Sequence, residues 1–467
     1  MRATTSMAVA LNDAQSPRVP GSIVAAGFAG VALYAWVLHW IYSSLIVPAF
    51  GYIGYTYAPP DAVLLTIAWL LASINAVLLK PTMARPSSIL ITVLFVVVVG
   101  PAILMAPYFG RLDNAGAFTL LFGVHLAFAL VTVGVRQRRA IRPLPLRISS
   151  QWFWRGLVAF STITYGYLAV TAGLSIELRG ILEVYDVRAE YSAALAGAPG
   201  LGYFVGAQSN AVNPFVIAWG LARRRWSVAL LAVTGQLVLY SVTGFKTVLF
   251  SLAALALVYI LLRRRDGSPL LLLYGAAAMT MVTATIDIVQ NQAFWSSFLV
   301  RRFIITPAQL TTIYYEFYSG RPKEQLAHST LEGFVTSPYP AGPSKTISAY
   351  EGFPDASMNA NLFADGYAQF GWVGVLGAAG LLILFLRMVD RASVGLPPII
   401  PALVMVMPAV TLSNASILTS MLTHGLFAVF MLLALAPREL ERQDQAGLAS
   451  PVKASSSRHP LFSKRVP

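Results

Sequence analysis

Runs of about 20 mostly apolar residues recur along most of this chain, and each is long enough to cross the hydrocarbon core of a bilayer as a helix. The chain has 467 residues, of which 57% are hydrophobic and only 11% are charged, and its mean hydropathy is +0.67. Such a composition is not that of a soluble domain, and helices satisfy their own backbone polar groups inside lipid. The sequence therefore predicts an all-α polytopic membrane protein.

We expect about 12 transmembrane helices, with both termini on one side of the membrane. Their predicted ranges are 22–48, 60–79, 87–107, 115–135, 156–175, 203–221, 227–244, 246–262, 268–288, 371–388, 397–414 and 416–435. Residues 1–20 are polar and lack the apolar core and cleavage site of a signal peptide, so we interpret them as a cytoplasmic tail. Residues 437–467 are charged and rich in Ser and Pro, which predicts a disordered cytoplasmic tail.

Lys and Arg are unevenly distributed between the two predicted sets of loops. The termini and the loops after even-numbered helices hold 24 of the 33, and the other loops hold nine. Cytoplasmic loops of membrane proteins carry the excess of Lys and Arg, so both termini are predicted inside. Helices 1–9 then occupy 21–288 with an outward loop near 176–202, a large periplasmic loop covers 289–370, and helices 10–12 occupy 371–436. This topology also explains the net charge of +14 without nucleic acid as a partner.

The nine predicted outward cations suggest a ligand that carries phosphate. They are Arg111, Arg179, Arg188, Lys246, Arg301, Arg302, Arg321, Lys323 and Lys345. The planar fork of donors in Arg matches phosphate oxygens, and a lipid head group is the phosphate available at a membrane surface. Internal ion pairs are the alternative, which we favour for Arg179; for Arg188, with Glu183 and Glu190 nearby, and for the 301–302 pair we favour binding.

Lys246 lies at the outer junction of two predicted helices, within the stretch TGFKTVLF. An ionisable residue beside the hydrocarbon is a functional hypothesis by default, although a lysine can also snorkel to the surface.

The end of the large loop is rich in residues that suit sugar hydroxyls. Asn359, Asn361 and Tyr367 lie there, but an Asn just before a helix can equally be a cap. Asp365 is the best-placed carboxylate for a general base, and its competitors are Glu183, Glu190 and His328.

Several kinds of site are excluded or disfavoured by the sequence. The chain has no Cys, so it has no disulfide and no thiolate ligand or nucleophile. It has no P-loop, no dinucleotide-binding glycines and no zinc motif. His39, His125 and His424 lack metal-ligand spacing, and we interpret them as buried, hydrogen-bonded residues. An outward site would also lack ATP and nucleotide sugars, so an activated donor must travel on a lipid.

Four outward segments occur in a recognisable order: YDVRAEY, TGFKTVLF, RRFIITPAQLTTIYYEFY and NANLFADGYAQFGWVGVLG. Over about residues 180–385 the chain resembles the Wzy-type oligosaccharide repeat-unit polymerases, which make O-antigen and exopolysaccharide at the bacterial inner membrane. The resemblance implies a GT-C-like fold. It also implies a glycosyltransferase that transfers a growing glycan from undecaprenyl diphosphate to the next lipid-linked repeat unit.

The resemblance also implies most of the expected site residues; Glu190 and His328 come instead from the residue types described above. We expect the catalytic residues to be Asp365, Arg301 and Arg302. We expect the substrate-binding residues to be Arg188, Lys246, Asn359, Asn361, Tyr367, His328 and Glu190. Neither a metal nor a cofactor is expected, and the implied partners are a flippase and a chain-length regulator.

Three other functions stay open on the sequence. An O-antigen ligase would share the architecture and use a different acceptor. A glycosyltransferase that uses a polyprenyl-phosphate sugar is a second alternative. A lipid-linked oligosaccharide flippase or transporter is the third, although such folds usually place charges at mid-bilayer and contain similar halves.

Overall fold

The computed structural model describes residues 21–80, 82–83, 85–136, 141–144, 146, 148–173, 184–263 and 268–438 of the chain. The predicted tails at 1–20 and from 439 onward, together with Arg179 and Glu183, lie outside the described residues. The helices are α1 (Gly21–Ile53), α2 (Ala62–Leu78), α3 (Pro86–Tyr108), α4 (Asn114–Gly134), α5 (Ser150–Ala172), α6 (Val184–Ala196), α7 (201–222), α8 (Trp226–Thr243), α9 (Lys246–Arg263), α10 (Pro269–Gln290), α11 (296–319), α12 (Pro343–Tyr350), α13 (Leu362–Ala392), α14 (Ile399–Leu412), α15 (Ile417–Leu422) and α16 (Leu426–Leu435).

Seven of the described helices are long and apolar enough to cross a membrane: α1, α3, α4, α8, α9, α10 and α13. Helices α2, α14 and α16 are apolar but shorter. The described part of the chain is therefore all-helical and is consistent with a polytopic membrane protein, as its apolar runs predict. Each of the 12 predicted ranges overlaps a described helix, whereas the number of crossings and the GT-C-like class stay predictions.

Short polar side chains determine where several helices begin. The Asp61 carboxylate accepts hydrogen bonds from Val63 N and Leu64 N at the start of α2. Asp113 does the same for α4, and Ser268 for α10. Each cap satisfies a backbone N–H that has no partner within its own helix. These three apolar runs thus begin directly after a capping residue.

Loops from distant parts of the chain meet at one end of the bundle. Tyr55, after α1, hydrogen-bonds Thr306 across 2.7 Å. Arg111, between α3 and α4, forms ion pairs with Glu316 and Glu351. We call this end the site end.

Another group of loops meets at the opposite end. There Ser87 donates to the Asp390 carboxylate at 2.8 Å, and Arg387 Nε donates to Gly134 O at 2.8 Å. Which end faces the cytoplasm stays a prediction.

The second half of α11, Thr306–Ser319, is a buried helix inside the 289–370 segment. It packs against α3, α4 and α13, and Ala308, Ile313 and Tyr314 are buried in that contact. Tyr314 keeps its hydroxyl satisfied by donating to Met358 O at 2.8 Å. Tyrosine suits such a place because its ring is apolar and its hydroxyl needs only one partner. The segment therefore has a buried anchor as well as exposed loops.

Candidate functional site

A cavity of about 1190 Å³ opens at the site end, between α6, α7, α9, α11 and the α14–α16 region. Arg188, Lys246, Arg301 and Arg302 all line it. Of the described residues that line it, none is Asp or Glu. We call it the cationic cavity. Four cations, with no Asp or Glu among the described residues of the lining, favour a positive potential, so the cavity is suited to an anionic ligand.

Arg301 is held in place by neutral groups. Its Nε donates to Ser297 Oγ at 2.9 Å, and the guanidinium lies 4.3 Å from the centroid of the Phe50 ring. Its second hydrogen-bond partner is the Tyr55 hydroxyl, at 3.5 Å. Because none of these partners is anionic, they orient the guanidinium and leave its charge for a ligand.

Lys246 is the first residue of α9, directly after a turn at Gly244, whose φ is 62°. Its Nζ lies 5.8 Å from the centroid of the Phe298 ring. The N-terminus of a helix carries positive partial charge, so a lysine is disfavoured there unless an anion binds nearby. The sequence TGFK thus forms a tight turn in the cavity wall. The Lys246 ammonium then lies at the start of α9, where the helix N-terminus already carries positive partial charge.

Arg188 reaches the cavity from α6. Its side chain is exposed and lies 5.4 Å from the centroid of the Phe245 ring. Tyr191, one turn further along α6, is buried edge-on against the same ring at 5.6 Å. Phe245 therefore connects α6 to the start of α9, and it brings Arg188 and Lys246 to one wall. Glu190 is exposed and lines no part of the cavity.

A second, smaller pocket of about 270 Å³ adjoins the cationic cavity. Glu324, His328 and Asp365 line it, and none of its described lining residues is Lys or Arg. We call it the acidic pocket. The residues that line both spaces are Asn359, Asn414, Ala415 and His424. A ligand in the cavity and a ligand in the pocket would therefore meet at a neutral boundary.

A break in α13 places Asp365 at this pocket. Gly371 has φ 61° and ψ −143°, a conformation open to glycine, and it separates a first segment of α13 from the long second one. The two segments touch at Gly366 and Gly374, where an added Cβ on either would overlap the backbone of the other. The glycines spaced through ADGYAQFGWVG are thus required by a sharp bend.

The loop after α11 closes the broken helix. Glu324 N donates to Ala368 O at 3.0 Å, and Gln325 N donates to Gln369 O at 3.1 Å. These bonds satisfy carbonyls at the end of the first segment of α13, which lose their helical partners at the break. They also fix Glu324 beside the helical turn that carries Asp365.

Glu324 is a buried carboxylate with neutral partners. Tyr318 Oη donates to it at 2.7 Å and Ser337 Oγ at 3.2 Å. Burial raises the pKa of the Glu324 carboxyl above its ordinary value. His328 Nε2 donates to Tyr339 O at 3.0 Å. Because that carbonyl can only accept, Nε2 carries a proton.

Two of the predicted site residues, Asn361 and Tyr367, stabilise the broken helix instead of lining the site. Asn361 is fully buried and caps α13: its Oδ1 accepts from Phe363 N and Ala364 N, and its Nδ2 donates to Thr311 Oγ1 at 2.7 Å. Tyr367 is buried, and its ring lies 5.0 Å from Trp372. Neither lines the cavity or the pocket. Both hold the broken helix in place.

The structure adds site residues that sequence reasoning missed. Glu324, Asn414 and His424 come from three separate segments, and no motif joins them. His424 hydrogen-bonds Thr423 at 2.8 Å and lines both the cavity and the pocket.

Arg111, by contrast, is a predicted outward cation that is neutralised by Glu316 and Glu351. Among the described residues, no group of three or more His, Cys, Asp or Glu is placed to hold a metal ion.

No protein-family model, no curated protein and no solved structure matches the chain. The resemblance carried by the four outward segments therefore stays a prediction.

Proposed function

We propose that the chain is a membrane glycosyltransferase that polymerises oligosaccharide repeat units linked to undecaprenyl diphosphate, on the outer face of the bacterial inner membrane. The observation that carries this proposal is the separation of charge between the two adjoining spaces. One holds four cations, the other holds two carboxylates and His328, and His424 lines both. Sugar transfer from a lipid diphosphate needs both environments next to each other.

The donor is the growing glycan, whose diphosphate occupies the cationic cavity. As the bond between the anomeric carbon and the diphosphate oxygen breaks, negative charge develops on that oxygen. Arg301, Arg302, Lys246 and Arg188 are fixed around the place where it develops. Removing one preorganised donor of this kind typically costs about 10²–10³ in rate. The electron pair leaves with undecaprenyl diphosphate.

The acceptor is the terminal sugar of the next lipid-linked repeat unit, in the acidic pocket. Its hydroxyl oxygen forms the new bond to the anomeric carbon and gives its proton to Asp365, with His328 as the competing base. A positioned base of this kind contributes roughly 10²–10⁴ in rate. Asn359, Asn414 and His424 lie where the two sugars meet, and their neutral polar groups suit hydroxyls.

The walls of the cationic cavity suit a prenyl chain beside the diphosphate. Phe50, Phe245, Phe250, Phe298 and Phe303 contribute aromatic surface to it. An isoprenoid buries apolar area against such rings, which stabilises the complex without specific hydrogen bonds. Both parts of a polyprenyl diphosphate thus have a matching surface.

The test uses the purified chain in proteoliposomes with undecaprenyl-diphosphate-linked repeat units as the only substrate. We expect a ladder of lipid-linked products that lengthens with time. Transfer only to a lipid A-core acceptor would indicate a ligase. Movement of the lipid across the bilayer without new glycosidic bonds would indicate a flippase. Either result would replace the proposal.

A further inference from the structure

The acidic pocket is large enough for a sugar ring. Its volume is about 270 Å³, and a void of about 10–15 Å³ by this measure already holds one water. A single pyranose with its hydroxyls fits that space. We therefore assign one ring of a longer glycan to it.

The charge of the pocket discriminates among such rings. Asp365 makes no ion pair with any described residue, and Glu324 is bonded only to the hydroxyls of Tyr318 and Ser337. No Lys or Arg is among the described residues of the wall. A carboxylate on the bound sugar would face the Glu324 and Asp365 carboxyl groups, with no Lys or Arg among the described wall residues to pair with it. A hydroxyl or an ammonium group would be accepted by the same oxygens.

We propose that the acidic pocket binds the terminal acceptor sugar and selects neutral or amino sugars against sugars that carry a carboxylate. This inference rests on the proposed function, because it assigns the acceptor of that reaction. Glu324 and Asp365 are the residues that determine the selection. Asn359, Asn414 and Ser344, from the same wall, hydrogen-bond the ring hydroxyls.

The experiment measures binding to the full-length protein in lipid nanodiscs. Farnesyl diphosphate first fills the cationic cavity, so that an anionic sugar cannot bind to its cations. The probes are the methyl glycosides of glucose, galactose and glucosamine, together with the methyl glycosides of glucuronic and galacturonic acid. Each uronate differs from its hexose only at carbon 6, so the comparison isolates the charge.

We expect the glucose or the galactose glycoside to bind about tenfold or more tightly than its matching uronate, and the glucosamine glycoside to bind at least as tightly as the glucose glycoside. In Glu324→Gln and Asp365→Asn that ratio falls to about threefold or less. Retained binding of farnesyl diphosphate shows that each variant is folded. Equal binding of hexose and uronate by the wild type, an unchanged ratio in both variants, or no binding of any neutral or amino glycoside overturns the inference.

The binding of farnesyl diphosphate tests the proposed function independently of the sugar selection. If farnesyl diphosphate does not bind the wild type, or binds Arg301→Ala equally well, the diphosphate role of the cationic cavity is wrong whatever the sugars do. If farnesyl diphosphate binding depends on Arg301 but the sugars are not discriminated, the transferase proposal stands and only the acceptor assignment is lost.

Discussion

Replacing Arg301 with Ala tests the cationic cavity because it removes both structural contacts and the proposed catalytic charge. The structural loss is two hydrogen bonds, to Ser297 and to the Tyr55 hydroxyl, and contacts with the rings of Phe50 and Tyr55. Contacts of these kinds are worth about 0.5–1.5 kcal/mol each. The catalytic loss, if Arg301 stabilises the leaving diphosphate, is about 2.7–4 kcal/mol, or 10²–10³ in rate. Because these ranges overlap, the loss of rate has to be compared with that of a variant that loses similar contacts outside the cavity.

Arg321 is a matched control for this substitution. Its guanidinium also lies 4.3 Å from a ring centroid, that of Phe317, and it donates to Phe317 O at 3.1 Å. It lines neither the cavity nor the pocket. Arg321→Ala thus loses similar contacts in the same segment of the chain, and we expect it to polymerise at nearly the wild-type rate.

The assay is the initial rate of polymer formation in proteoliposomes, together with the thermal unfolding midpoint of each variant. We expect similar midpoints for the two variants and a rate at least about 100-fold lower for Arg301→Ala, as one lost transition-state donor predicts. Arg301→Lys, which keeps the charge and loses the planar fork, should lie between. Rates for Arg301→Ala and Arg321→Ala within threefold of each other would refute the diphosphate role.

Three further predictions follow from the packing and charge of the site. Gly374→Ala should destabilise the protein by about 1–3 kcal/mol in thermal unfolding, because the new Cβ overlaps the Gly366 carbonyl; Gly377→Ala, which meets nothing within 4 Å, should not. Because burial raises the pKa of Glu324, the stability it contributes is present below its ordinary pKa and is lost as the pH rises through the raised value. The unfolding midpoint of Glu324→Gln relative to wild type should therefore increase from pH 4 to pH 8, and a constant difference would contradict this. Gln236→Leu should cost about 1–3 kcal/mol in the same assay, because it leaves buried polar partners unsatisfied.

The helices were predictable because a run of about 20 apolar residues has few other stable states in a membrane. Even the irregular part of α7 has a signal in the sequence. Residues 208–212 of α7 form a π-helical turn, in which a carbonyl accepts from the N–H five residues later. For Ser209 O that residue is Pro214, which has no N–H. Gln236 Nε2 donates to that carbonyl at 3.0 Å instead. The sequence indicates the interruption, but it does not indicate which helix satisfies it.

The site was only partly predictable. Arg188, Lys246, Arg301 and Arg302 stand out because cations are disfavoured on the predicted outer side, and the structure brings all four to one cavity. Asn361 illustrates the limit: the same residue type serves as a cap and as a sugar ligand, and only its burial and its three hydrogen bonds assign it to the cap. Glu324, Asn414 and His424 could not be grouped, because long-range packing alone brings their segments together.

The separation of the two charged environments has a chemical reason. A carboxylate within a cluster of four cations would be paired, and pairing lowers its basicity. A base is effective only if it stays able to take a proton, while the leaving diphosphate needs the cations close by. The structure meets both demands. Asp365 lies in a pocket that has no Lys or Arg among its described residues, and Asn359 and Asn414 line both that pocket and the cavity. Transport of an intact lipid makes no demand for such a base, so this arrangement favours sugar transfer.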